Sequence, residues 1–236
     1  MHRQETSSPA PEVFVVDNDR STRDSLAWLL EGAGLRAVTF ESAEAFLTAC
    51  PTDRPGCLVL DVRLPGKSGV VLQEELAELG ITLPIIIVTG YADVGTAVRV
   101  LKQGAFDFLE KPLDGDTLLG CVREALALDT RRRRACEERE RLCARLARLS
   151  ARERAVFDQV VQGKANKVVA IEFGISEKTV EAHRARVMHK LGATSLAELV
   201  RMDLAASQLD LMRGQWMPAM SERFFTRTAA ESRASA

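Results

Sequence analysis

The run Pro84-Ile85-Ile86-Ile87-Val88 constrains this chain more than any other stretch. Its four consecutive β-branched residues favour a strand, and a pleated strand with this sequence has no polar side to turn toward water. Such a strand must be covered on both faces, as in a parallel sheet flanked by helices. Val13-Phe14-Val15-Val16 and Cys57-Leu58-Val59-Leu60 read the same way, with weaker strands over Ala37-Val38-Thr39-Phe40 and Phe106 to Glu110. Between them lie segments of helical spacing: Ser21 to Glu31, one through Phe46 and Leu47, one over Val70 to Leu79, one through Ala97 to Leu101, and Leu118 to Leu128. Five strands alternating with five helices predict a doubly wound α/β domain with a five-stranded parallel sheet.

In such sheets ligands bind outside the carboxyl ends of the strands. Those ends carry Asp17 and Asn18, Asp61, Thr89 and Lys111. A single Asp ahead of Pro65-Gly66 is ordinarily a turn former. Two carboxylates, an amide, a hydroxyl and an ammonium converging on one crevice are a different matter. Clustered oxygen ligands suit Mg²⁺, which takes one or two carboxylates and keeps several waters. A carboxylate beside that ion can attack a phosphoryl group in line and form an acyl phosphate, while a hydroxyl and an ammonium neutralise the transferring oxygens.

Asp17, Asp61, Thr89 and the Lys111-Pro112 pair resemble the receiver domain of two-component response regulators over residues 11–128. The resemblance implies strand order 2-1-3-4-5, Asp61 as phosphoacceptor, and a sensor histidine kinase as donor. It implies Mg²⁺ held by Asp17, Asn18, Asp61 and the backbone carbonyl of Arg63. Thr89 and Phe108 become the switch pair, and Lys111 the partner of the phosphate, with a cis bond to Pro112. Asn18 departs from the pattern, since the family usually has a metal-binding Asp there. One negative charge is lost, and weaker Mg²⁺ binding and slower phosphorylation are expected.

Charge is unevenly placed. Residues 1–115 carry 10 Lys and Arg against 17 Asp and Glu, and the remainder carries 22 against 16. An acidic half and a basic half point to two domains with different partners, the second suited to a polyanion. Between them, residues 129–148 are mostly charged and read as a solvated linker helix with internal ion pairs, able to pair with its twin.

The second domain, residues 149–206, opens with a capping box at Ser150-Ala151-Arg152-Glu153. A helix with Val156, Phe157, Val160 and Val161 on its apolar face ends near Gly163. A short helix over Asn166 to Phe173, a turn at Gly174 and a longer helix capped by Ser176 form a helix-turn-helix. On the longer helix Val180, Arg184, Val187 and Leu191 mark an inward stripe, Arg184 snorkelling to its edge. The opposite face presents Lys178, Glu181, Ala182, Ala185, Arg186 and His189. The two alanines allow close approach to base edges, and Glu181 can accept from cytosine. Lys167, Lys178, Thr179, Arg184 and Arg186 are within reach of phosphates. Ser195 to Glu198 reads as a further capping box, opening a fourth helix with Leu199, Val200 and Leu204. The segments Ser150 to Arg154 and Ser176 to His183 resemble the LuxR-type helix-turn-helix, so the chain to about Ala206 is similar to the NarL/FixJ-type regulators. That implies a phosphorylation-promoted homodimer on promoter DNA, acting as an activator with RNA polymerase as a further partner.

No apolar run approaches the roughly 20 residues that cross a bilayer. Met1 to Pro11 lacks a secretion signal, and five scattered Cys make no disulfide or zinc framework. A cytoplasmic protein is expected. Residues 207–236 read as a partly disordered tail with Trp216, Met217, Phe224 and Phe225 able to pack or bind. Two other readings stay open: a phosphohydrolase built on the same Asp nucleophile, and a DNA-binding regulator made indifferent to phosphorylation by Asn18.

Overall fold

The computed structural model describes residues 10–49, 54–90 and 94–216. The described residues divide into two compact units, with the boundary between Arg133 and Arg134. The first unit alternates β1 (Glu12–Val16), α1 (Arg20–Gly32), β2 (Arg36–Phe40), α2 (Ala43–Ala49), β3 (Gly56–Asp61), α3 (Gly69–Glu78), β4 (Ile85–Thr89), α4 (Val94–Lys102) and β5 (Asp107–Glu110). The five strands pair in parallel in the order β2-β1-β3-β4-β5.

Strand alternation splits the core into two layers. Val13, Val15, Val59, Ile86 and Val88 point to one side, where they meet Leu26 and Leu30 of α1 and, from the following helix, Leu118 and Val122. Phe14, Val16, Leu58, Leu60 and Ile87 point to the other, against Phe46 of α2, Leu72 and Leu76 of α3 and Val100 of α4. Every residue of β1, β3 and β4 is buried, as their two-sided apolar sequences require.

The fifth helix and the expected linker helix run on as one, α5 (Gly115–Leu146). Charge density at residues 129–141 does not interrupt it, because pairs such as Arg133–Asp129 and Arg141–Glu137 lie one turn apart. The second unit adds α6 (Ala151–Val161), α7 (Asn166–Phe173), α8 (Glu177–Leu191) and α9 (Leu196–Trp216). Phe157, Val169, Val180, Val187, Leu191 and Leu199 form its core. In α7, Val169 and Ala170 are buried, while Val168 and Ile171 face outward. Gly174 closes α7 at φ 63°, a left-handed conformation that only glycine adopts cheaply, and so sets the turn into α8.

The capping box at Ser150 is present, with reciprocal bonds to Glu153. The one expected at Ser195 forms only in half. Ser195 Oγ accepts the Glu198 amide, but the Glu198 carboxylate takes the amide and hydroxyl of Thr194 instead of the Ser195 amide. Thr194 supplies two donors where Ser195 would supply one. Helix α9 runs past the expected end of the domain at residue 206 to Trp216; the rest of the tail, including Met217, Phe224 and Phe225, lies outside the described residues, as do residues 1–9 and Cys50.

Candidate functional site

Parallel register brings the strand ends level. Val16 pairs with Leu60, so Asp17 and Asp61 emerge side by side, and Asp61 pairs with Val88, which puts Thr89 one step beyond. Thr89 pairs in turn with Glu110, so Lys111 follows at the same rim. Lys111 Nζ donates to Asp17 Oδ2 at 2.6 Å and to Asp61 Oδ2 at 2.9 Å. Its bond to Pro112 is cis, and its amide donates to the Thr89 carbonyl at 2.8 Å. Burial would push the Lys111 pKa down, but hydrogen bonds and charge from Asp17 and Asp61 outweigh it and hold the pKa above the ordinary value.

Each carboxylate keeps a second anchor. Asp17 Oδ1 accepts the Asp19 amide at 2.8 Å, and Asp61 Oδ1 accepts the Arg63 amide at 3.0 Å. Both are buried, at 2% and 7% exposure, and Thr89 is fully buried, whereas Asn18 and Arg63 are exposed at the rim. Phe108 is half-buried against the α2–α4 layer. Asp19 stands outside the cluster as the cap of α1, accepting from Ser21 and Thr22, which lower its pKa.

Sequence reasoning missed two supports. Arg23 reaches back from α1 to donate to the Asp17 carbonyl at 2.7 Å. Gly69 opens α3 against β3, where any Cβ would overlap the Asp61 carbonyl oxygen. The first carries no sequence signal beyond its distance from Asp17, and the second is visible only once the chain is folded.

In the second unit, α8 presents Lys178, Thr179, Glu181, Ala182, Ala185, Arg186 and His189 exposed, and Lys167 of α7 is exposed as well. Thr179 lies with its hydroxyl 2.7 Å from Ser176 Oγ, at the helix cap. Arg184 is not simply a cation at an edge: its Nη1 donates to Asn166 Oδ1 at 3.1 Å and ties α8 to the start of α7. At the far end of α8, Lys190 Nζ donates to the buried Glu153 at 2.6 Å. That bond, with the Ser150 amide, lowers the Glu153 pKa to about 2. Helix α8 is thereby fastened at both ends while its outer face stays open.

A doubly wound domain with two carboxylates and a lysine at its rim, joined to a helix-turn-helix with an exposed basic face, defines a signal receiver coupled to a DNA-binding module. Residues 13–123 match the response regulator receiver domain, and residues 147–203 match the bacterial regulatory proteins of the luxR family. The chain is 48% identical to the transcriptional regulatory protein FixJ of Azorhizobium caulinodans, over 82% of this chain and 92% of that one. It is 45% identical to the transcriptional regulatory protein TdiR of Thauera aromatica, over 84% and 87% of the two chains. The solved response regulator StyR superposes with a TM-score of 0.77 at 41% identity, covering 83% of this chain and 98% of that one. The protein belongs to the NarL/FixJ-type response regulators, transcriptional regulators with a receiver and a LuxR-type DNA-binding domain. Among the described residues no helix is long and apolar enough to cross a membrane.

Proposed function

We propose that Asp61 accepts a phosphoryl group from a phosphohistidine of a sensor kinase, and that this promotes pairing of two chains and binding to promoter DNA. The observation that carries the reading is the Lys111 ammonium shared between Asp17 and Asp61. An Asp61 oxygen attacks phosphorus as the phosphorus–nitrogen bond of the donor breaks, leaving an acyl phosphate and a neutral imidazole once that ring takes up a proton. Lys111 holds one equatorial oxygen, and the Thr89 hydroxyl bonds another on moving toward the phosphate, with Phe108 turning inward behind it.

The donor set suits Mg²⁺. Asp17 and Asp61 are oxygen ligands whose atoms each retain acceptor capacity beside their present bonds, and the Asn18 amide and Arg63 carbonyl complete an all-oxygen set. Bound there, the ion neutralises charge that develops on the transferring group. The protein works in the cytoplasm, as an activator that engages RNA polymerase. Incubation with acetyl phosphate and Mg²⁺ tests the reading. The wild type gains the mass of one phosphoryl group in the peptide holding Asp61, as a hydroxylamine-labile adduct, and Asp61→Asn gains none; labelling that survives Asp61→Asn contradicts it.

A second reading follows from Asn18, an amide at the exposed rim where a third acid is expected. Here the chain binds DNA equally well with and without phosphate. Equal duplex affinity in the presence and absence of donor supports it over the first.

A further inference from the structure

Outside the Asp61 pocket, the most enclosed charges of the first unit lie at the opposite end of the same sheet. Glu12 and Asp129 are 4% and 2% exposed. Glu12 opens β1 and pairs with Arg36 of β2 and with Arg54, each at 3.1 Å. Asp129, from α5, accepts the amide of Gly56, the first residue of β3, at 2.9 Å and Arg133 Nε at 2.8 Å. Arg133 Nη2 then donates to the Arg54 carbonyl at 2.5 Å. Gly56 is also required by β1, since a Cβ there would overlap the Glu12 carbonyl oxygen.

A solvated helix needs no buried carboxylate, and burying one is costly unless it is fully paired. This one is paired, with the Gly56 amide of β3 and with Arg133, which in turn bonds the Arg54 carbonyl just ahead of that strand. The first unit ends at Arg133, so the contact is made where α5 leaves it. Strand β3, buried along its whole length, has Asp61 at its other end.

We propose that Asp129 and Arg133 form a clasp through which the receiver fixes the exit of α5 and passes its phosphorylation state to the linker. The inference rests on Asp61 being the phosphoacceptor. A shift of β3 on phosphorylation makes or breaks discrete bonds at Gly56 and Arg54, which is the two-state element that coupling needs. Asp129 and Arg133 are positioning residues and touch no phosphate.

The test uses the full chain with Asp129→Asn and Arg133→Gln, acetyl phosphate with Mg²⁺ as donor, and a duplex selected from a random pool by the phosphorylated wild type. Three readouts are needed: phosphoryl occupancy of Asp61, duplex affinity with and without donor, and amide exchange over residues 130–146. Both variants keep wild-type occupancy and, within about twofold, the donor-free affinity, while the phosphorylation-dependent gain, on the order of tenfold for couplings of this kind, falls close to one. Exchange beyond Asp129 becomes faster. Gains equal to wild type in both variants, with exchange raised, overturn the clasp. A wild type that is phosphorylated but shows no gain overturns the switch itself and the clasp with it. If Asp129→Asn does not fold, Arg133→Lys decides, because it keeps the charge but cannot bond Asp129 and Arg54 together.

Discussion

Lys111 and Lys178 are both cations of the proposed functional faces, and they are held in opposite ways. Lys111 lies between two buried carboxylates that come from different strands. Lys178 stands exposed on one face of a single helix, with Arg186 and His189 further along. The first arrangement fixes charges at hydrogen-bond distance before any ligand arrives, which suits transfer of one small group whose oxygens must be met in place. The second leaves charges solvated over a long face, which suits a polyanion whose counterions are released on contact. In the proposed function, fixed geometry serves the chemistry and an open face serves the readout.

That contrast can be broken at the level of folding. Phe157 is fully buried in the second unit, so Phe157→Ala is expected to cost about 3–5 kcal/mol there. Chemical denaturation followed by two probes should show the second unit melting early while the first keeps its transition. A single shared transition for both would contradict their independence. Acid comes next. The Glu153 pKa falls from 4.5 to about 2 on folding, so its contribution is complete above pH 4.5 and drains away as pH drops toward 2. Glu153→Gln should flatten that part of the stability curve of the second unit, measured by circular dichroism, and leave the first unit's acid response unchanged.

At the Asp17–Asp61 pocket, Asn18→Asp supplies a further carboxylate and should tighten Mg²⁺ binding by at least about tenfold, since a unit charge about 4 Å from a divalent ion is worth about 2 kcal/mol even at the dielectric of water. Calorimetric titration checks it, and unchanged affinity removes the reason for expecting slow phosphorylation. The smallest effect belongs to the open face. Arg186→Gln should weaken binding to all duplexes alike and lower the salt slope by about 1, without changing which sequence is preferred. A change in preference would place Arg186 on a base edge instead.

Much of the first unit was legible because its three central strands are apolar on both faces, which leaves few folds open. With the topology in hand, Asp17, Asp61, Thr89 and Lys111 had to meet, and Lys111 does reach both acids. The clasp was not legible. Asp129 and Arg133 stand four apart in a charged run, the pattern of an ordinary surface ion pair, and nothing local says that Gly56 will approach from 73 residues away in sequence. The same holds for Arg184, whose place on an inward stripe suggested snorkelling and whose bond to Asn166 depends on how α7 meets α8. Periodicity sorts residues onto faces. It does not say which polar group waits on the other side.

The central claim is that a phosphoryl group on Asp61 governs how tightly the second unit holds DNA. Its most direct test is the duplex affinity of the wild type and of Asp61→Ala, each measured with and without acetyl phosphate and Mg²⁺. The account predicts a gain in the wild type alone, on the order of tenfold. The same affinity in all four measurements, or an equal gain in Asp61→Ala, would contradict it.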